Sequence, residues 1–165
     1  MTRFLLQFLF FLPLYSLFGQ SGIDSHIKEI QTQNPEFSAM ETFDMVYKMH
    51  LYSDRALAEQ AVDSMSEIVL KYNRPADRGL LINRQASLLF VDGDYPNALE
   101  LYNKSYNIYQ EQNNEKELSG VLINIANCYG EMGQLELCLE THLKSLSIQE
   151  RLNIKGNPLQ AFGSY

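Results

Sequence analysis

The sequence predicts an all-α fold, a solenoid of antiparallel helix pairs, and three observations predict it. The run from Ala86 to Ala98 returns in pattern as Ala126 to Cys138, 40 residues later. Its register continues through Tyr102 with His142, Lys104 with Lys144, Ser105 with Ser145 and Ile108 with Ile148, and periods of about 20 to 50 residues mark stacked supersecondary units. Within each unit, apolar residues recur at helical spacing in two successive stripes separated by a short turn. Finally, low glycine and proline, no tryptophan, ten tyrosines and many Leu, Ile, Gln, Glu and Asn suit amphipathic helices rather than strands.

Residues 1–19 stand apart from the rest. Arg3 precedes an apolar stretch from Phe4 to Phe18, interrupted by Gln7, Pro13 and Ser16 and followed by Gly19, Gln20, Ser21 and Gly22. That is the charged start, apolar middle and small-residue exit of a secretory signal peptide. The alternative is an uncleaved membrane anchor, but about 15 residues span only near 22 Å against a hydrocarbon core of roughly 30 Å. Cleavage after Gly19 is expected, with the product periplasmic or secreted. No cysteine lies in or just after the leader to take a lipid. Residues 20–35 are expected as a loose or partly helical lead-in.

The remainder, residues 36–165, divides into units at about 36–75, 76–115 and 116–155, with the start of a fourth at 156–165. Helix pairs are expected at about 36–71, 76–111 and 116–152. In the middle unit Leu81, Ile82, Gln85, Ala86, Leu89 and Phe90 form the first stripe, and Tyr95, Ala98, Leu99, Tyr102 and Tyr106 the second. Between them, Gly93 is suited to the left-handed conformation that ends a helix, and Asp94 to capping the next. Pro96 falls in the first turn, where its missing N–H costs little. Gly133 repeats the plan. Polar links such as Asn73-Arg74-Pro75 and Glu111 to Asn114 join one pair to the next. The first unit is a divergent copy, with Ser53 where the later units have glycine.

The segment Asn124 to Glu136, with Leu122, Ala126, Tyr129, Gly133 and Cys138 at large and small positions, resembles the tetratricopeptide repeat. It is closest to the 40-residue variety found in kinesin light chains and regulators of spindle orientation. Ile82, Ala86, Leu89, Gly93, Ala98 and Tyr102 fit the same pattern. The resemblance implies a right-handed superhelix whose concave groove, lined by the first helix of each pair, binds a peptide or a partner protein. Carried onto this chain, the groove positions are Phe43, Asp44 and Tyr47, then Asn83, Arg84 and Ser87, then Ile123, Asn124 and Asn127. Relatives use the two asparagines of Asn124-Ile-Ala-Asn127 to hold bound peptides.

The chemistry of those residues agrees with that role. An asparagine amide both donates and accepts, so it can grip an extended backbone whatever its sequence, and Arg84 offers a site for a carboxylate. The alternative is that the asparagines hydrate the groove or bond between neighbouring helices. The formal charge of −7, with no block of Lys or Arg, argues against nucleic acid as a direct partner.

No catalytic residues, cofactor or metal site are expected. The three histidines lack a neighbouring nucleophile or a ligand spacing, and His142 fills the aromatic slot of Tyr102. Asp92 and Asp94 flank a glycine without the further oxygen ligands a calcium loop needs. Cys128 and Cys138, the only thiols, read as small apolar residues, Cys138 in the slot of Ala58 and Ala98. Leu159, Phe162 and Tyr165 look like core residues without their second helix, so a truncated chain or a partner over that end is expected. The leading functional expectation is therefore an exported interaction scaffold. The alternatives are the sensory input region of a membrane-spanning signalling protein, its membrane or output domain missing, and a piece of an outer-surface assembly.

Overall fold

The computed structural model describes residues 21–34 and 37–152. The expected leader, Pro35 and the start of a fourth unit lie outside them. Seven helices fill the described residues, and no strand occurs among them. They are α1 (Ser21–Gln33), α2 (Ala39–His50), α3 (Arg55–Tyr72), α4 (Pro75–Val91), α5 (Tyr95–Glu111), α6 (Glu115–Glu131) and α7 (Leu135–Arg151). The described residues form two compact units, one up to Lys71 and the other from Tyr72 onward.

In the first unit the lead-in takes the helical form of the two expected, loose or partly helical. It is a regular helix, α1, because Ile23, Ile27 and Ile30 make a one-sided stripe that is buried, and burial of that stripe stabilises a helix with little propensity of its own. Helix α1 packs on α2, where the His26 and His50 rings meet edge to face with centroids 4.5 Å apart. A reciprocal cap opens α2: Ser38 Oγ accepts from the Glu41 N–H at 3.3 Å and Glu41 Oε2 accepts from the Ser38 N–H at 2.7 Å. The Asp54 carboxylate caps α3 through the Leu57 N–H at 3.2 Å. Ala58, Ala61, Val62, Met65 and Ile68 then give α3 a continuous buried face.

The second unit shows the 40-residue period in its backbone and its hydrogen bonds. Helix α4 packs on α5, α5 on α6 and α6 on α7, and α4 also reaches α6. Gly93 and Gly133 take φ of 80° and 73°. At each, two N–H groups turn back onto the end of the helix: Gly93 to Phe90 and Asp94 to Leu89, Gly133 to Gly130 and Gln134 to Tyr129. These are the paired bonds with which a left-handed residue closes a helix. Asn113, with φ of 52°, closes α5 in the same manner, a position at which asparagine tolerates what other side chains resist. Asp94 and Asn114 then cap α5 and α6 with their side chains.

Two buried serines fasten the adjacent helices. Ser105 Oγ on α5 donates to the Gly79 carbonyl on α4 at 2.8 Å, and Ser145 Oγ on α7 donates to the Ser119 carbonyl on α6, also at 2.8 Å. The two bonds are the same bond one repeat apart, each contributing about 1 kcal/mol. Tyr102 adds a third tie, its hydroxyl donating to Ser87 Oγ at 2.9 Å. Around these bonds lies a core of Ala86, Ala98, Tyr102, Tyr109, Leu118, Val121, Ile125 and Cys128. Ala86, Ala98 and Ala126 are fully buried at helix contacts, where a larger side chain would hold the helices apart. Both cysteines are free.

Candidate functional site

The face shared by α4 and α6 carries five of the six principal residues that the sequence singles out. Two turns of α4 present Asn83, Arg84 and Ser87; the matching turns of α6, 40 residues on, present Ile123, Asn124 and Asn127. Because α4 and α6 are neighbours, the two asparagine turns meet. Asn124 Nδ2 donates to Asn83 Oδ1 at 2.9 Å, so this pair makes the bond between neighbouring helices that the alternative reading of the asparagines expects.

This bond divides the labour between the two amides. Asn83 is only 5% exposed, so its role is to hold its neighbour, and Asn124, half-buried, keeps an edge toward solvent. An asparagine side chain offers two donors and a carbonyl with two lone pairs. The mutual bond uses one donor of Asn124 and leaves its carbonyl oxygen and second N–H. Asn127 and Arg84 are also half-buried on the same two helices.

Ser87 is committed inward. Its hydroxyl donates to the Asn83 carbonyl at 3.0 Å and accepts from Tyr102 at 2.9 Å, which ties the α4 face to α5. Tyr47 belongs to the first unit and is 1% exposed, an interior residue of α2. Phe43 and Asp44 are buried there too, and the Asp44 carboxylate pairs with Lys48 at 2.6 Å. The register places these three at the expected groove positions, and all three side chains are buried.

No cluster of three or more His, Cys, Asp or Glu suited to a metal occurs among the described residues. Cys128 has no reactive character: burial pushes its thiol up to about 12, with the Glu131 carboxylate adding to the effect. Burial also holds the His142 imidazole below its ordinary value. These are the marks of packing groups.

One surface escaped the sequence reading. Helix α7 buries only Thr141 and Ser145 and exposes Leu135, Leu137, Leu139, Leu143 and Leu146. The signal was present in the spacing of leucines 135, 139, 143 and 146, but spacing alone does not say which stripe a neighbouring helix covers.

Compared with family models, with curated proteins and with solved structures, the chain matches none of them. Its functional reading therefore rests on its own residues.

Proposed function

We propose that the chain is an exported scaffold of the tetratricopeptide type, which holds an extended peptide or a partner segment against the face shared by α4 and α6. The observation that carries this reading is the Asn83–Asn124 bond at 2.9 Å. It pre-orients one amide, and a pre-oriented donor and acceptor bind with less ordering cost than a mobile side chain. Asn124 and Asn127 would bind the peptide backbone, and Arg84 a carboxylate at its side or end.

The solenoid arrangement supports the same reading. Gly79 bonds to Ser105 while Ser87 bonds to Tyr102, an order that suits two helices running in opposite directions, and the Ser145–Ser119 bond repeats the first of them. Antiparallel pairs stacked at a constant step build a right-handed superhelix with the first helix of each pair inside. Export follows from the leader pattern of residues 1–19.

The test is capture from a peptide library by the parent protein and by an Asn124→Ala, Asn127→Ala double variant. The parent should retain a set of peptides that the variant loses. Equal capture by the two removes this face as the binding surface.

A further inference from the structure

Among the described residues of the second unit, four of the five glycines answer to something inside the protein. Gly93 and Gly133 take positive φ at helix ends. A methyl at Gly79 would press on Tyr109 at 2.9 Å, and one at Gly130 would touch Cys138 Sγ at 3.5 Å. Gly120 has neither a left-handed backbone nor a neighbour. It stands in the body of α6, where glycine weakens a helix relative to alanine. It is exposed, and nothing among the described residues lies within 4 Å of an added methyl.

Its place on the helix gives that gap a meaning. Gly120, Asn124 and Asn127, at i, i+4 and i+7, share one face of α6, opposite the buried Leu118, Val121, Leu122 and Ile125. One repeat earlier the position of Gly120 is held by Leu80, half-buried on α4. In the stacking proposed above, α4 and α6 run in the same direction. Leu80, three residues before Asn83, then stands level with Gly120, four before Asn124. Ile123, half-buried, borders the gap on α6 itself. Lys116, a turn earlier, is exposed, so its stem adds apolar surface while its ammonium stays in water.

We propose that Gly120 is where a bound peptide comes closest to α6, and that the gap over it admits one large apolar side chain of that peptide. The inference rests on the reading of the α4 and α6 face as a peptide-binding surface, and it adds the class of peptide. Glycine is the residue that lets a ligand approach a backbone closely. An extended chain sets alternate side chains about 6.6 Å apart on one side, and one turn of α6 advances about 5.4 Å. A residue gripped by Asn124 therefore has its second neighbour over Gly120. The amides hold a backbone whatever its sequence. The gap reads the side chain, because Leu80 and Ile123 offer a polar group no partner to replace water.

The test uses the full chain, immobilised, and a displayed library of random peptides of about 10 residues, longer when extended than α6. Recovered peptides are sequenced, synthesised and titrated by fluorescence anisotropy. Those retained by the parent should share Leu, Ile, Phe, Tyr or Met at one aligned position. Gly120→Leu, which brings in the residue type found at position 80, should weaken their binding by about tenfold or more, and Gly120→Ala by less. The urea midpoint of both variants should stay at or above that of the parent, a combination that no folding defect produces. Retained peptides without an aligned apolar position, or undiminished binding to Gly120→Leu, would overturn the inference. The Asn124→Ala, Asn127→Ala variant separates the two readings. If it loses peptides that Gly120→Leu keeps, the face stands and the gap does not; if it keeps them too, or the parent retains none, both fall.

Discussion

Gly79→Ala probes the closest approach between two helices of the second unit. A methyl group at Gly79 would lie 2.9 Å from both Cε1 and Cζ of Tyr109 and 3.3 Å from Cγ2 of Ile108, where carbon atoms ordinarily rest about 3.5 to 4.0 Å apart. Tyr109 is buried, so its ring has no solvent to swing into. Relief must come from α4 moving off α5, which stretches the Ser105 bond to the Gly79 carbonyl. Overpacking of this kind costs about 1 to 3 kcal/mol, while replacing a helical glycine by alanine gains about 1 kcal/mol of backbone entropy and propensity. The net effect is therefore a loss of about 0 to 2 kcal/mol. Gly120 supplies the control, because it sits inside α6 with nothing within 4 Å of an added methyl. Gly120→Ala should take the gain alone. The gain cancels between the two variants, and the remaining difference of about 1 to 3 kcal/mol is the packing cost. Urea unfolding followed by dichroism reads it as a difference in midpoint at equal slope. Equal midpoints, or a more stable Gly79→Ala, would refute the proposed fit of α4 against α5.

Ala98→Leu places a large side chain in a fully enclosed slot and should cost about 1 to 3 kcal/mol in the same urea assay. Ser105→Ala and Ser145→Ala each remove the tie to a neighbouring helix and should lower stability by similar amounts, about 1 to 3 kcal/mol; a large effect in one and none in the other would break the equivalence of the two repeats. Cys128, buried and with its thiol raised to about 12, should resist alkylation in the native protein while the half-buried Cys138 reacts first, as peptide mass spectrometry of partly modified protein would show. Because burial lowers the His142 value, the unfolded chain takes up that proton more readily than the folded one. Its contribution to stability is then complete above the ordinary imidazole value of about 6.5 and declines as pH falls below it. The urea midpoint should drop between about pH 7.5 and about pH 5.5, and His142→Gln should flatten that drop.

Local chemistry was the legible part of the fold. Gly93 and Gly133 announced helix ends because glycine reaches positive φ without strain, and Asp94 announced the next start because its carboxylate can take a free N–H. Both outcomes depend on a few adjacent residues. Helix α1 was harder to read: Ile23, Ile27 and Ile30 fall outside the 40-residue register, and although their spacing is helical, one short stripe becomes a regular helix only by packing on α2. For the candidate site, the sequence names positions along α4 and α6 but not their depth. The period aligns Asn83 with Ile123 and Arg84 with Asn124, while the structure bonds Asn83 to Asn124, 41 positions apart, because the approach of α4 to α6 decides which amides meet. Tyr47 shows the other limit. Its register position names a groove, and its side chain is only 1% exposed, a depth that no spacing rule contains.

The chemistry of the proposed face on α4 and α6 bears on what it can select. Asn124 and Asn127 offer amide donors and acceptors that match any peptide backbone, so contacts there position a ligand without reading its side chains. Such bonds exchange for bonds to water and each contributes only about 0.5 to 1.5 kcal/mol net. A face of this type discriminates weakly unless a charged group such as Arg84 meets a fixed carboxylate.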